Sequence, residues 1–236
     1  MAPAFIGVGV GPGDPELLTV KALRTLTEAD RVFSPTMAVD AVGRAESIVR
    51  EADATIRVER LVFAIRRDDD ERGKAHAAAA GRIVECLDAG ERVAFITLGD
   101  PNVYSTFHHL ARLVVELRPD VPVETIPGIM AFQDLASRAG VVVLDGTERL
   151  QLVSAVDGPD AVDTALADDD AAVIVYKGGR HLPAIAERLE EKGRVDGAVF
   201  GELLGLPGER IAPVKECADA PAAYLATVIV PPRRRS

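Results

Sequence analysis

The 236-residue sequence predicts an α/β protein of two domains, residues 1–142 and 143–236, with a ligand crevice between them. Three observations carry that prediction. Short apolar, β-leaning runs alternate with helical patterns along most of the chain, as βα units of a parallel sheet do. Several of those runs stop at glycine- and proline-containing turns and restart as helices, most clearly Val93 to Thr106. The last part of the chain holds three extended runs without helices between them, so the second sheet is expected to be partly antiparallel.

Ala4 to Val10 reads as the first strand and enters Gly11-Pro12-Gly13-Asp14-Pro15. The glycines do not form a dinucleotide fingerprint: Gly-x-Gly-x-x-Gly begun at Gly7 meets Pro12, and begun at Gly9 meets Asp14. No Gly-Lys-Ser/Thr follows, so a nucleotide P-loop fails as well. These spacings argue against a nicotinamide-linked oxidoreductase. Pro15 suits the first turn of a helix and Asp14 its N-cap, with the helix expected from about Glu16 to Thr27. Two readings of Asp14 stand, a simple cap or a direct part in chemistry.

Arg31 to Ser34 reads as a strand, Ala41 to Arg50 as a helix, Thr55 to Ile65 as an extended run, and Ala75 to Ala89 as a helix closed by Gly90. Val93 to Leu98 is expected to be a buried parallel strand. It stops at Gly99-Asp100-Pro101, where glycine permits a tight turn and proline cannot continue a ladder. Asp100 then sits at the carboxyl end of a central strand, where open α/β sheets bind ligands; a turn-capping aspartate is the other reading. A helix is expected from Val103 to Arg118. Val121 to Ile126 repeats the pattern and meets Pro127-Gly128-Ile129-Met130.

Beyond Val141 to Arg149 the expected elements are strands at 150–156 and 172–176, helices at 160–166 and 181–191, and extended runs at 197–203, 209–214 and 224–230. The net charge of −10 argues against nucleic acid or an anionic membrane as the main partner. The basic run Arg233 to Arg235 reads as a frayed tail. Cys86 and Cys217 lie far apart, with no metal-ligand spacing, which fits a reducing cytoplasm and predicts no metal site. No apolar run approaches the ~20 residues of a membrane span, and no signal peptide is expected.

Gly-Val-Gly-Pro-Gly-Asp-Pro (9–15), Thr-Leu-Gly-Asp-Pro-Asn-Val-Tyr-Ser-Thr (97–106) and Ile-Pro-Gly-Ile (126–129) resemble the tetrapyrrole methylase family, in the right order and over nearly the whole chain. The stretches at 100–107 and 127–133 look most like members that methylate precorrin-2 at carbon 20. The resemblance implies a homodimer of two-domain α/β subunits that uses S-adenosylmethionine, releases S-adenosylhomocysteine and holds the cofactor in the cleft. It carries cofactor contacts onto Gly99, Asp100, Val103, Tyr104, Ser105 and Thr106, then Met130 and Ala131. In the second domain the contacts fall near Tyr176, Lys177, Phe200, Ala226 and Thr227. Position 130 often holds Ser or Thr in relatives, so Met130 puts a side-chain hydroxyl contact there in doubt.

The reaction implied is displacement of the methyl group by a ring carbon, with a base to remove a proton. Candidates for the base are Asp14, Tyr104 and His108; His109 is adjacent, so a helix turns the two imidazoles about 100° apart. The two histidines are equally compatible with a surface or subunit interface. A polycarboxylate substrate on an acidic protein needs a local basic cluster, for which Arg66, Arg67, Lys177 and Arg180 are candidates. The turns do not separate a metal-free from a cobalt-bearing ring.

Overall fold

Each apolar run read as a strand pairs into one of two sheets. The computed structural model describes residues 2–38, 40–63 and 69–234 and divides into two units, Met1–Met130 and Ala131–Ser236. Arg66 and Arg67 lie outside the described residues.

In the first unit β1 (Ala4–Gly9), β2 (Arg31–Thr36), β3 (Val58–Val62), β4 (Arg92–Thr97) and β5 (Val123–Ile126) form a wholly parallel sheet, ordered β3-β2-β4-β1-β5. Both faces are covered, which is why the strands read as continuous apolar runs. Ala4, Ile6 and Val8 of β1 pack with α1 (Val20–Glu28) and α2 (Arg44–Ala52). Phe5 belongs to the opposite layer, with α3 (Asp69–Asp88) and α4 (Phe107–Leu117). The chain leaves β1 for β2 on one side and leaves β4 for β5 on the other, so the order reverses between these neighbours. Their carboxyl ends are the switch point at which such sheets take ligands.

Three helices begin three or four residues later than the sequence predicts, α2 among them, at Arg44 rather than Ala41. Asp14 accepts a hydrogen bond from the Glu16 amide at 2.9 Å and closes a 3-10 turn, Pro15–Leu17. Thr19 then supplies a second cap, accepting from the Ala22 amide at 3.0 Å, and α1 starts at Val20. The sequence signal from Asp14-Pro15 was a genuine cap of a shorter element. Likewise Val103 to Thr106 forms turns, and α4 starts at Phe107.

The second unit contains α5 (Ala131–Ala139), β6 (Arg149–Ser154), α6 (Asp160–Ala165), β7 (Ala171–Tyr176), α7 (Leu182–Glu191), β8 (Val199–Glu202), β9 (Arg210–Pro213) and β10 (Thr227–Val230). The sheet order is β6-β7-β10-β8-β9. Only β6 and β7 pair in parallel; the other three pairings are antiparallel. Residues 131–139, placed in the first domain by the sequence reading, group with this unit. Their helix α5 packs on β8 and β10, and Leu135 lies so close to Gly201 that an added Cβ there would come within 2.6 Å of its Cδ1. α6 and α7 share the other apolar layer with Val173, Val175, Phe200 and Val228.

The C-terminal basic run is not a frayed tail over its described part. Arg233 pairs with Asp169 at 3.1 Å, and Arg234 with Glu148 at 2.8 Å. Arg194 is 3 % exposed and donates to the carbonyls of Ala171 and Pro231, each at 2.9 Å. One buried guanidinium therefore ties the start of β7 to the segment after β10. Among the described residues no helix is long and apolar enough to cross a membrane.

Candidate active site

The loops after β1, β4 and β5 meet through glycine. A Cβ on Gly9 would lie 2.4 Å from the Gly99 carbonyl oxygen and 2.7 Å from the Gly128 nitrogen. One on Gly128 would lie 2.1 Å from that same oxygen. No other residue fits at either position without moving backbone. The Gly99 amide donates to the Gly11 carbonyl at 2.8 Å, and its φ of +63° turns the chain out of β4.

Asp100 fastens this junction. Its Oδ2 accepts from the Gly128 amide at 3.2 Å and its Oδ1 from the Asn102 amide at 2.8 Å. Asn102 in turn donates to Thr125 Oγ1 at 3.2 Å. Ser105 Oγ donates to Thr97 Oγ1 at 3.0 Å and accepts from the Phe107 amide at 3.1 Å. Gly99, Asp100, Ser105 and Thr106 are thus brought together in a loop whose shape is held from within. Val103 is half-buried on it. Tyr104 has a left-handed backbone, φ +49°, and is 46 % exposed as a residue. A bulky residue in that region is strained, and such strain concentrates at functional sites. Met130, whose Cα would lie 3.8 Å from a Cβ on Gly99, closes the first unit, and Ala131 opens α5.

Asp100→Asn is expected to break the tie to Gly128, because an amide cannot accept on both sides. The loss is about 1.5–3 kcal/mol for a charge-assisted bond. Hydrogen exchange should read it as a Gly128 amide that exchanges at least about tenfold faster, with unchanged rates in the second unit.

The other two base candidates are placed differently. The Asp14 carboxylate is held by its own turn. His108 and His109 are both exposed on the first turn of α4, their rings 5.8 Å apart.

In the second unit the carboxyl ends of β7 and β8 lie on one sheet edge, either side of the start of β10: Thr227 is opposite both Tyr176 and Gly201. The Tyr176 hydroxyl accepts from the Phe132 amide at 3.2 Å. Burial pushes its pKa up to about 12, against a small lowering by that amide, so it is a neutral phenol at physiological pH. Lys177 follows with φ +59°, and burial lowers its ammonium pKa. Arg180 is exposed, its guanidinium 5.8 Å from the centre of the Tyr224 ring. Phe200 is fully buried, and Ala226 and Thr227 are nearly so; the Phe200 side chain offers no surface to a ligand and supports the edge from beneath.

The sequence reading missed Glu202 and Leu203 at this edge. Leu203 has φ +54°. Glu202 accepts from the Ala223 amide at 2.7 Å and pairs with Arg210 at 2.8 Å, holding the segment that leads into β10. Gly179 is packed against the same segment, since a Cβ there would sit 1.8 Å from the Ala223 oxygen. The Gly178-Gly179 pair was the only sequence signal for this close approach.

A family model described as Tetrapyrrole (Corrin/Porphyrin) Methylases matches residues 4–218. The chain belongs to that family. It is 35 % identical to a precorrin-2 C(20)-methyltransferase of a Sinorhizobium species, across 96 % of this chain and 94 % of the relative. It is 28 % identical to the cobalt-precorrin-2 C(20)-methyltransferase of Salmonella typhimurium, across 94 % of each. The solved structure of the cobalt precorrin-4 methyltransferase CbiF superposes with a TM-score of 0.71 at 20 % identity, over 96 % of this chain and 94 % of that one. That likeness shows a shared fold.

Proposed function

We propose that this protein transfers a methyl group from S-adenosylmethionine to carbon 20 of precorrin-2, giving precorrin-3A and S-adenosylhomocysteine. The observation that supports it most is full-length similarity to the Sinorhizobium enzyme at 35 % identity. The site residues fit that reading: a glycine junction into which no Cβ fits packs the ends of β1, β4 and β5 backbone to backbone, beside a loop on which Tyr104 is exposed.

Bound S-adenosylmethionine supplies an electrophilic methyl group on a sulfonium that is already a good leaving group. The protein's own part is alignment, worth about 7–11 kcal/mol of barrier when the reacting atoms are held in near-attack geometry. Gly99, Asp100, Val103, Tyr104, Ser105 and Thr106, with Met130 and Ala131, are assigned to cofactor binding. Asp100 acts by fixing the loop. Tyr176, Lys177, Ala226 and Thr227 are assigned to the cofactor through the edge they form, with Phe200 as support. Tyr104 is the best placed of the three base candidates, because it is exposed on the loop itself. Lys177 and Arg180 are assigned to carboxylates of the substrate. The working form is read as a cytoplasmic homodimer; the free, buried thiols of Cys86 and Cys217 suit a reducing compartment.

A cobalt-bearing ring is the second reading, favoured by the similarity to the Salmonella enzyme. Parallel kinetics with the metal-free and the cobalt-bearing ring separate them. The metal-free ring is expected to have the higher kcat/KM by about tenfold or more, equivalent to 1.4 kcal/mol of transition-state binding. A preference for the cobalt ring would overturn the metal-free assignment.

A further inference from the structure

The first unit carries a cluster of imidazoles on α3 and α4. His76 on α3 faces His109 on α4, ring centres 5.6 Å apart, and His109 lies beside His108. His76 also contacts Phe63, centres 5.3 Å apart, and Phe63 meets Phe95 edge-on. The cluster is therefore the outer end of a row of rings rooted in the sheet. His76 is half-buried and His109 exposed, so the row opens to solvent.

Topology places this opening at the carboxyl edge of the parallel sheet. Phe63 directly follows β3, and His109 is in the first turn of α4, immediately after the Gly99–Thr106 loop. His76 lies two turns into α3, which returns from that edge to β4. The glycine junction is on the same edge.

The cluster sets imidazole N–H donors near two arginines, Arg72 and Arg112, on a chain of net charge −10. Partial desolvation of the His109 ring first, then its neighbours, the guanidinium charges of Arg112 and Arg72 among them, lower its pKa. Arg112 has Glu116 at 3.8 Å, both well exposed. Among the described residues no group of three or more His, Cys, Asp or Glu could hold a metal ion. Imidazole N–H groups backed by guanidinium charge suit a carboxylate.

We propose that His76 and His109, flanked by Arg72 and Arg112, bind a carboxylate arm of the tetrapyrrole substrate. The identity of the ligand rests on the methyltransferase reading; the anion site rests on the cluster itself. It adds a first-unit contact to the substrate residues assigned above.

The test is a titration of the full-length protein with uroporphyrin, a stable tetrapyrrole bearing carboxylate arms, followed by fluorescence. The wild type is compared with the double variant His76→Asn, His109→Asn and with Arg72→Gln. The expected result is a Kd raised about tenfold or more in the double variant and by a smaller factor in Arg72→Gln, each lost bond being charge-assisted. The Kd for S-adenosylmethionine and the melting temperature should stay unchanged. A uroporphyrin Kd within about twofold of wild type in the double variant, or no binding by the wild type, would overturn the site. Failure of the wild type to bind S-adenosylmethionine, with the uroporphyrin effect intact, would instead sink the methyltransferase reading and leave the anion site standing.

Discussion

Gly128→Ala should abolish most turnover, by about a hundredfold or more. The new methyl group would lie 2.1 Å from the Gly99 carbonyl oxygen and 2.8 Å from the carbonyl carbon of Gly9. Both neighbours are backbone, so no side chain can swing away and the loops after β1 and β4 must part. Overpacking of this kind costs about 1–3 kcal/mol in stability. A displacement near 1 Å at an aligning loop can cost about 10²-fold in rate. Gly99→Ala supplies the contrast. Its φ is +63°, but an added Cβ meets nothing closer than 3.8 Å, so the expected penalty is only the left-handed strain of about 1–2 kcal/mol. Calorimetric titration with S-adenosylmethionine and thermal unfolding of both variants check the pair. Near-wild-type cofactor affinity in Gly128→Ala would refute the glycine junction as part of the site.

Glu46→Ala should be the most destabilising change outside the site, by about 3 kcal/mol, while leaving kcat and KM of the remaining folded protein unchanged. Glu46 on α2 is fully buried. Its carboxylate accepts from Arg60 Nε at 2.7 Å and Arg60 Nη2 at 2.9 Å, and pairs with Arg50 at 2.7 Å. Removing it takes the carboxylate from the partly buried Arg60 guanidinium, while the half-exposed Arg50 can turn to solvent. For a chain of this size the melting temperature should fall by about 6–12 °C. Burial raises the Glu46 pKa, but the bonds from Arg60 and the charges of Arg50 and Arg60 outweigh it, and the net shift is downward. The folded pKa is thus below the unfolded value of about 4.3. The stabilisation is fully present above that value and is lost as pH falls through the folded pKa. Glu46→Gln should therefore flatten the acid limb of the stability curve and have its largest effect near neutral pH. An acid limb identical to wild type would show that the ion pair does not contribute.

The parallel sheet of the first unit was legible because its strands are buried on both faces and end in glycine turns. Ala4 to Gly9 and Arg92 to Thr97 could hardly be read otherwise. Helix starts were less legible, because local side-chain bonds compete with helix. Asp14-Pro15 signals a cap equally well for one turn or three, and only Thr19 decides where α1 begins. The break between the units was misplaced toward Val141 because α5 follows the Pro127-Gly128 turn with no linker; its packing on β8 and β10 is a tertiary fact. Within the site, the loop from Gly99 to Thr106 could be located by motif, but the bond from Gly128 to Asp100 joins residues 28 apart. The left-handed backbones of Tyr104, Lys177 and Leu203 could not be read at all, since none of these residue types favours that region. The histidine cluster was half visible, as His108-His109; its partner His76 lies in another helix and has no spacing to announce it.

The most direct test is anaerobic incubation of the purified protein with S-adenosylmethionine and freshly made metal-free precorrin-2, followed by mass spectrometry. The expected result is a product heavier by one methylene, S-adenosylhomocysteine in equal amount, and the new methyl on carbon 20 by NMR. Cofactor binding with no methylated product, or a methyl group at another ring carbon, would contradict it.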